Sequence, residues 1–400
     1  MTASQRRVFY ATEARLHRGL DGRVYSDASQ DWYENHLLWL NSFDEVIVVA
    51  RVEDIPRNSG RLVEGDGVKV LAVPSYQGAR GMVTRFMQIR KLVRRLSTDP
   101  GAVYGGRFPG VIGGITVSAG RRLGARTFAH VVGDPYDVLK AGVAGKPGVK
   151  LAWLAKLLVA RQVSRVDGAI YVSERTLQRR YPVRAGAASL VRSGVAISDG
   201  TVAAQPKVAH ADREGLIVVA VGTHNQMYKG HDLLIQAAAQ LLRKGHSITL
   251  ELVGGGAKHR VLVELARDLG IDKHVTFHGH VETPEEIRDI LDRADLFAMP
   301  SRTEGVPRAL IEAMARGLPC IGSDIGGIPE LLPPGCLFTS GSVEELTGLL
   351  HSALNNHEWM TQQGATNLEH ARQIIDSLDP QRVIDFFSQL DSAPKALARS

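Results

Sequence analysis

Cysteine is nearly missing from this chain: in 400 residues only Cys320 and Cys336 occur. Two thiols make neither a disulfide framework nor a zinc site, and such usage fits a reducing cytoplasm. Long apolar runs are missing as well. No segment reaches the ~18 uninterrupted apolar residues needed to cross a bilayer. The N-terminal stretch MTASQRRVFYATEAR lacks the apolar core of a signal peptide. The chain is expected to be soluble and cytoplasmic, or at most to rest on the inner face of a membrane. Aromatic residues amount to 6%, and no zinc-finger, helix-turn-helix or aromatic RNA-binding pattern occurs, which argues against a nucleic-acid partner. No G-x-G-x-x-G turn follows a strand with an acidic residue beyond it, which argues against a dinucleotide oxidoreductase. Short-period repeats and low-complexity segments are also lacking.

The charge is unevenly spread. Residues 1–200 hold 30 Lys and Arg against 17 Asp and Glu, and residues 201–400 hold 18 against 25. A basic half joined to an acidic half suggests that the first alone meets a large anionic partner. A chain of this length exceeds what one core usually supports, so two domains are the default. Segments 7–13, 44–52, 68–74, 125–134 and 168–174 read as strands. DASQDWYENHLLWLNSF reads as a helix, and so does 81–96, with Phe86, Ile89, Val93 and Leu96 on one face and Arg90, Lys91, Arg94 and Arg95 on the other. That basic face would suit an anionic membrane surface. Residues 198–214 are polar, without apolar period, and read as a linker. A second alternation of strands and helices runs from 215 to 378. Strand–helix alternation implies parallel sheets covered on both faces.

The densest chemistry lies in Ser301–Leu332, SRTEGVPRALIEAMARGLPCIGSDIGGIPELL. Pro307 suits the first position of a helix, and Gly317 followed by Pro319 suits its end. Glu304 would then stand in the loop before the helix and Glu312 in its second turn. Free N–H groups and the positive end of the helix dipole favour a phosphate there, and adjacent carboxylates accept hydrogen bonds from hydroxyls. Such a pocket would hold a phosphorylated sugar. A second segment, VGTHNQMYKGHDLLIQA (221–237), ends a strand at Gly222 and sets Lys229 just before a helix, near where a diphosphate would lie.

The first segment resembles the carboxylate–seven residues–carboxylate motif of retaining GT-B glycosyltransferases, in particular glycosyltransferase family 4. The resemblance implies an α/β protein of two Rossmann-like domains facing each other across a cleft, with residues 1–197 on the acceptor side and 215–378 binding a nucleotide sugar. It also implies a last helix, 379–390, that returns to the first domain. Glu312 would hold the donor ribose, and Glu304 would face the donor sugar. The amides around Gly305, Val306 and Pro307, with Arg308 following, would lie near sugar and phosphates. Lys229 matches the lysine of the family's diphosphate clamp, while Thr223 stands where the family has arginine. Gly222, Gly254 and Gly255 leave room for the nucleotide, and His280 and Val281 match the segment that contacts the base. Near the transferred sugar either Asp134 or His130 would act, Asp134 favoured by position. Gly19 and Gly22 would border the acceptor side, though both suit plain turn formers. The implied activity is metal-independent, cofactor-free transfer with retention from a UDP-sugar in preference to a GDP-sugar. The acceptor would be a glycan, a lipid-linked or a small molecule, in cell-surface polysaccharide or glycoconjugate synthesis. A sugar-nucleotide epimerase of the same fold and a non-catalytic nucleotide-binding subunit are the alternatives.

Overall fold

The computed structural model describes residues 5–28, 31–140, 145–195, 200–208, 215–281 and 283–395. The chain divides into two compact units. One comprises residues 1–135, 153–192 and 378–400, and the other 136–152 and 193–377.

In the N-terminal unit, nine strands among the described residues form one sheet: β1 (Arg7–Arg18), β2 (Val24–Ser26), β3 (Glu45–Asp54), β4 (Arg61–Leu62), β5 (Val68–Pro74), β6 (Val103–Phe108), β7 (Arg126–Val131), β8 (Gly168–Tyr171) and β9 (Ala188–Val191). Its parallel body runs β5-β3-β1-β6-β7-β8-β9, and β2 and β4 add an antiparallel corner at the far end of β1. Strand β1 runs five residues further than the sequence pattern suggests. A register shift between Ala11 and Arg15 lets it continue past Glu13 to Arg18. The glycines of HRGLDGRVYSD therefore sit in a hairpin turn: Gly19 N donates to Arg23 O, and Gly22 adopts φ +77°, where a side chain would be strained.

The helix expected over DASQDWYENHLLWLNSF is a correction. Its described part forms only a 3-10 turn, Tyr33–His36, and one helical turn, Leu37–Leu40, with residues 29–30 outside the described set. Trp39 is its anchor, wedged among Tyr10, Phe128 and Phe387. The helix Gly78–Leu96 forms, but it buries Ile89 and Val93 while Phe86 and Leu96 are exposed. Its partner surface is the helix Val111–Arg122, which covers only part of the expected stripe. The C-terminal helix Pro380–Ser392 sets Val383, Phe386, Phe387 and Leu390 into the core formed by Val8, Tyr10, Val46, Phe128 and Ile170.

In the C-terminal unit, β10 (Leu216–Val221), β11 (Ile248–Val253), β12 (Val275–Gly279), β13 (Leu296–Met299), β14 (Cys320–Ser323) and β15 (Leu337–Phe338) form a fully parallel sheet in the order β12-β11-β10-β13-β14-β15. These strands read as unbroken apolar runs because helices cover both faces. Strand order reverses between β10 and β13, so the loops that leave their carboxyl ends flank a topological switch point, the position where open α/β sheets bind ligands. The described part of the expected linker, 200–208, lies on this unit: Ala203 N donates to Ala315 O and Lys207 N to Gly317 O.

Candidate functional site

The helix after β13 comprises Arg308–Ala315. Pro307 is its N-cap, one position earlier than the sequence suggests, with φ −76° and ψ 116°. An extended ψ keeps the proline outside the first turn, and it offers no side-chain cap to the orphan amides. The helix is held down by Leu310, Ile311 and Met314, all fully buried and each worth about 1.5–3 kcal/mol. Gly317, at φ +70°, ends it against Pro206. Glu312 lies in the second turn, as its spacing predicts.

The two loops at the switch point are tied together by charge. Arg302 grips Asp232 with both terminal nitrogens at 2.8 and 2.7 Å, and donates to Met227 O at 2.5 Å. Its own N–H bonds Tyr228 O at 2.6 Å. Planar bidentate pairing of this kind fixes orientation as well as distance. Because Asp232 opens the helix His231–Arg243, the clamp holds the loop carrying Lys229 against the loop carrying Glu304. There, Lys229 Nζ donates to Glu304 Oε1 at 2.6 Å, and the buried Ser301 hydroxyl donates to the same oxygen at 2.7 Å.

Glycine brings the remaining loops in. Gly222 lies under the Lys229 stem, where a Cβ would come within 3.1 Å of Lys229 Cγ. Gly254, at φ +143°, packs its backbone on Gly222 O, and a Cβ there would collide with that oxygen. Gly255 accepts from His224 N at 2.8 Å and from the Thr223 hydroxyl at 3.3 Å, and sits beside His280 N. On the other side, Gly326 presses on Glu304 O, and Gly327 N donates to Gly305 O at 2.7 Å. The N–H groups of Gly305 and Val306 have no hydrogen-bond partner in the described structure.

Two groups at this site are held in unusual states. Glu312 is half-buried and its carboxylate has no hydrogen-bond or ion-pair partner among the described residues; burial raises its pKa, and nearby Arg308 pulls it partly back. His224 stacks on His259 and meets His231 edge-on beside Thr223, with His224 Nδ1 3.1 Å from His259 Nδ1. Burial lowers His224 to about 4 and His231 to about 3, so both rings are neutral at physiological pH.

The structure thus brings together Gly222, Thr223, Lys229, Gly254, Gly255, His280, Glu304, Gly305, Val306, Pro307, Arg308 and Glu312 at the carboxyl ends of one sheet. Val281 follows His280 directly. Sequence reasoning missed Ser301, Arg302 and Asp232. Only the arginine carried a signal, a charge between two short loops.

Asp134, His130, Gly19 and Gly22 belong to the N-terminal unit. Asp134 is buried and committed to Arg180 and Tyr181, whose side chains both bond its carboxylate. The preference for Asp134 on grounds of position is therefore not matched by a carboxylate left open to a substrate. His130 Nδ1 lies 2.7 Å from Tyr10 Oη, which itself accepts from Arg107 Nε at 3.2 Å. The three side chains form one chain of polar contacts, with Arg107 donating to the phenol oxygen and the phenol facing Nδ1. Burial, then Arg107 and Arg192, lowers this histidine to about 3. In the same unit Glu13 takes the place a ligand would occupy at the helix start after β6: it accepts from Ile112 N at 2.9 Å and from the Tyr76 hydroxyl at 2.7 Å.

Residues 203–369 match the family model of glycosyl transferases group 1. Protein CapJ of Staphylococcus aureus is 24% identical over 334 residues, covering 81% of this chain and 82% of that protein. A D-inositol 3-phosphate glycosyltransferase of Gordonia bronchialis is 33% identical over 174 residues, which span 40% of this chain and 38% of that relative. Among solved structures, HepE of Anabaena in complex with UDP superimposes with a TM-score of 0.64 at 16% identity, covering 96% of this chain and 99% of HepE. The fold is GT-B, with two Rossmann-like domains, and the chain is a glycosyltransferase through the group 1 domain of its C-terminal unit.

Proposed function

We propose that this chain is a retaining glycosyltransferase of family 4 that transfers a sugar from a nucleotide-diphosphate donor, with UDP-sugars the first choice and GDP-sugars the second. The observation that carries the reading is the Lys229–Glu304 pair at the switch point, beside the unpartnered Glu312 and the free amides of Gly305 and Val306. Each group then has a task. Glu312 accepts both ribose hydroxyls, which supplies the partners its half-buried carboxylate lacks. The diphosphate takes Lys229 and the amides at the helix start, which stabilise the charge that develops as the glycosidic C–O bond to phosphate breaks. Glu304, relieved of part of its lysine contact and still held by Ser301, accepts from sugar hydroxyls and fixes the ring. Thr223 contributes a hydroxyl where an arginine would add charge, so Lys229 is the main cation of the clamp. The reading requires no resident metal. The solved HepE complex with UDP supports a uridine donor by fold likeness.

Choice of acceptor, whether a glycan, a lipid-linked or a small molecule, is assigned to the N-terminal unit. There His130 offers a neutral ring beside Arg107.

A thermal-shift panel of UDP- and GDP-sugars, followed by nucleotide-release assays on those that bind, tests the proposal. One base should raise Tm with several sugars, and slow release of its diphosphate should vanish in Lys229→Ala. No shift with any nucleotide sugar, or release unaffected by that substitution, would overturn it. Conversion of the donor sugar without nucleotide release would identify an epimerase instead.

A further inference from the structure

One face of the N-terminal sheet is covered by helices of unusual composition. The helix Gly78–Leu96 packs Ile89 and Val93 on the helix Val111–Arg122, through Ile112, Ile115 and Ala119. That middle helix meets the helix Gly145–Val163 through Val117, against Val159 and Val163, and through Gly114, against the Gln162 side chain. The three therefore lie side by side. They carry six, two and four Lys or Arg respectively, and not one Asp or Glu.

Their outer surfaces are apolar where a soluble helix would be polar. In the third helix Ala152, Val159 and Val163 face inward, while Trp153 is 64% exposed and Leu154, Leu157 and Leu158 are 44–53% exposed. At 100° per residue these four large side chains fall on one arc, which also holds Lys150 and Arg161. The burial pattern is inverted: small residues are inside and large ones outside. The first helix repeats the theme with Val83 and Met87 more than 60% exposed. Among the described residues none of Arg85, Lys91, Arg95, Arg122, Lys150 and Arg161 forms an ion pair. Arg94 is held below the ordinary arginine value, by desolvation first and then by Arg122 and Arg90, a sign of cations crowded without counter-charge.

We propose that this helical layer is a docking surface for an anionic lipid bilayer, into which Trp153, Leu154, Leu157 and Leu158 insert while the basic side chains meet the headgroups. Apolar insertion and a cationic rim are the two requirements of an interfacial helix. Charge decides against the other occupants. A second copy of this face would set arginines against arginines, and nucleic acid would leave the leucines unused. Among the described residues no helix is long and apolar enough to cross a membrane, and the proposed contact is peripheral. The proposal modifies the sequence-based expectation, which placed the contact on Arg90–Arg95 alone. It is independent of which sugar or base is bound.

The test is co-sedimentation of the full chain with vesicles of phosphatidylcholine alone or mixed with phosphatidylglycerol, at low and high salt. Binding should need the anionic lipid and weaken about tenfold or more between 0.1 and 0.5 M salt. Leu157→Ser with Leu158→Ser should weaken it by about tenfold or more, and so should Arg85→Ser with Lys91→Ser and Arg95→Ser. Tm and nucleotide-sugar affinity should stay at the parent values, which separates a docking failure from a fold or donor-site failure. Equal binding to neutral and anionic vesicles, or none to either, would overturn the proposal. Concentration-dependent dimerisation abolished by Leu157→Ser and Leu158→Ser, without vesicle binding, would also overturn it and assign the face to self-association.

Discussion

Replacing Glu312 by glutamine should separate what this side chain does for the fold from what it does for a ligand. In the free protein its carboxylate is half-buried and unpartnered, and burial raises its pKa. A carboxyl whose folded value lies above its unfolded one favours the native state when protonated. That contribution is full below the ordinary glutamate value and is lost as pH rises through the raised one. At neutral pH the ionised group therefore opposes folding, and an uncharged isostere removes the penalty without leaving a cavity. Tm of Glu312→Gln should equal or exceed that of the parent at pH 7.5, and the difference should shrink toward pH 4. Donor affinity should move the other way. A carboxylate accepting two ribose hydroxyls makes two charge-assisted bonds, each worth about 1.5–3 kcal/mol against 0.5–1.5 for a neutral acceptor. The amide also has one oxygen where the carboxylate has two. A loss of about 2–3 kcal/mol follows, or roughly 30- to 150-fold in Kd. Calorimetry with the nucleotide and with its 2′-deoxy analogue reads this directly: the deoxy analogue should lose little more in the variant than it already loses in the parent. A variant with lower Tm and unchanged nucleotide affinity would refute the argument and make Glu312 a structural residue.

Four further outcomes are expected. Lys229→Ala should lower kcat by about 10²–10³-fold in nucleotide-release assays, with a smaller effect on ground-state donor affinity. Thr223→Arg should raise kcat/KM severalfold by adding a second cation beside the diphosphate; a fall would show that the loop, held through Gly255 and Asn225, has no room for it. Asp134→Asn should cost about 2–4 kcal/mol of stability by leaving Arg180 without its carboxylate, with nucleotide affinity unchanged, as Tm and calorimetry would show. His36, His224 and His231 are buried and lowered to about 4, 4 and 3. A depressed histidine lends stability that is full above its unfolded value near 6.5 and is lost as pH falls toward the folded one. Each should remove about 1.4 kcal/mol per pH unit in that window. A Tm that stays flat from pH 7 to 5 would contradict their burial as neutral rings.

The C-terminal unit was more legible than the N-terminal one, and the reason is local. In 215–332 strands β10, β11 and β12 run out at Gly222, Gly254 and Gly279, in or next to the candidate site, so strand ends and site groups share one pattern. Glu304, Glu312, Lys229 and the Gly254–Gly256 turn could be placed by spacing alone. Pro307 was misplaced by one residue because proline tolerates both the N-cap and the first turn. The N-terminal unit hides its groups behind tertiary contacts. The extension of β1 depends on a register shift at Ala11, which has no sequence mark. Asp134 looked open at a strand end, but Arg180 and Tyr181, more than forty residues away, close on it. The stripe Phe86–Leu96 followed helical period, yet the neighbouring helix is too narrow to cover all of it.

The glycine contacts around Lys229 also bear on how this protein could be repurposed. Gly230, Gly254 and Gly326 all have positive φ, and each would drive a Cβ into a carbonyl, of Pro300, Gly222 and Glu304 respectively. The scaffold of the site is main chain locked on main chain, and it tolerates no side chain there. His280 and Arg308 are exposed, and Val281 is only partly covered. On the proposed donor-site reading, a combinatorial library confined to those three positions would vary the groups offered to the base (His280, Val281) and to the sugar phosphates (Arg308) while leaving the locked frame untouched. Selection for a new donor could then proceed without most variants being lost to misfolding.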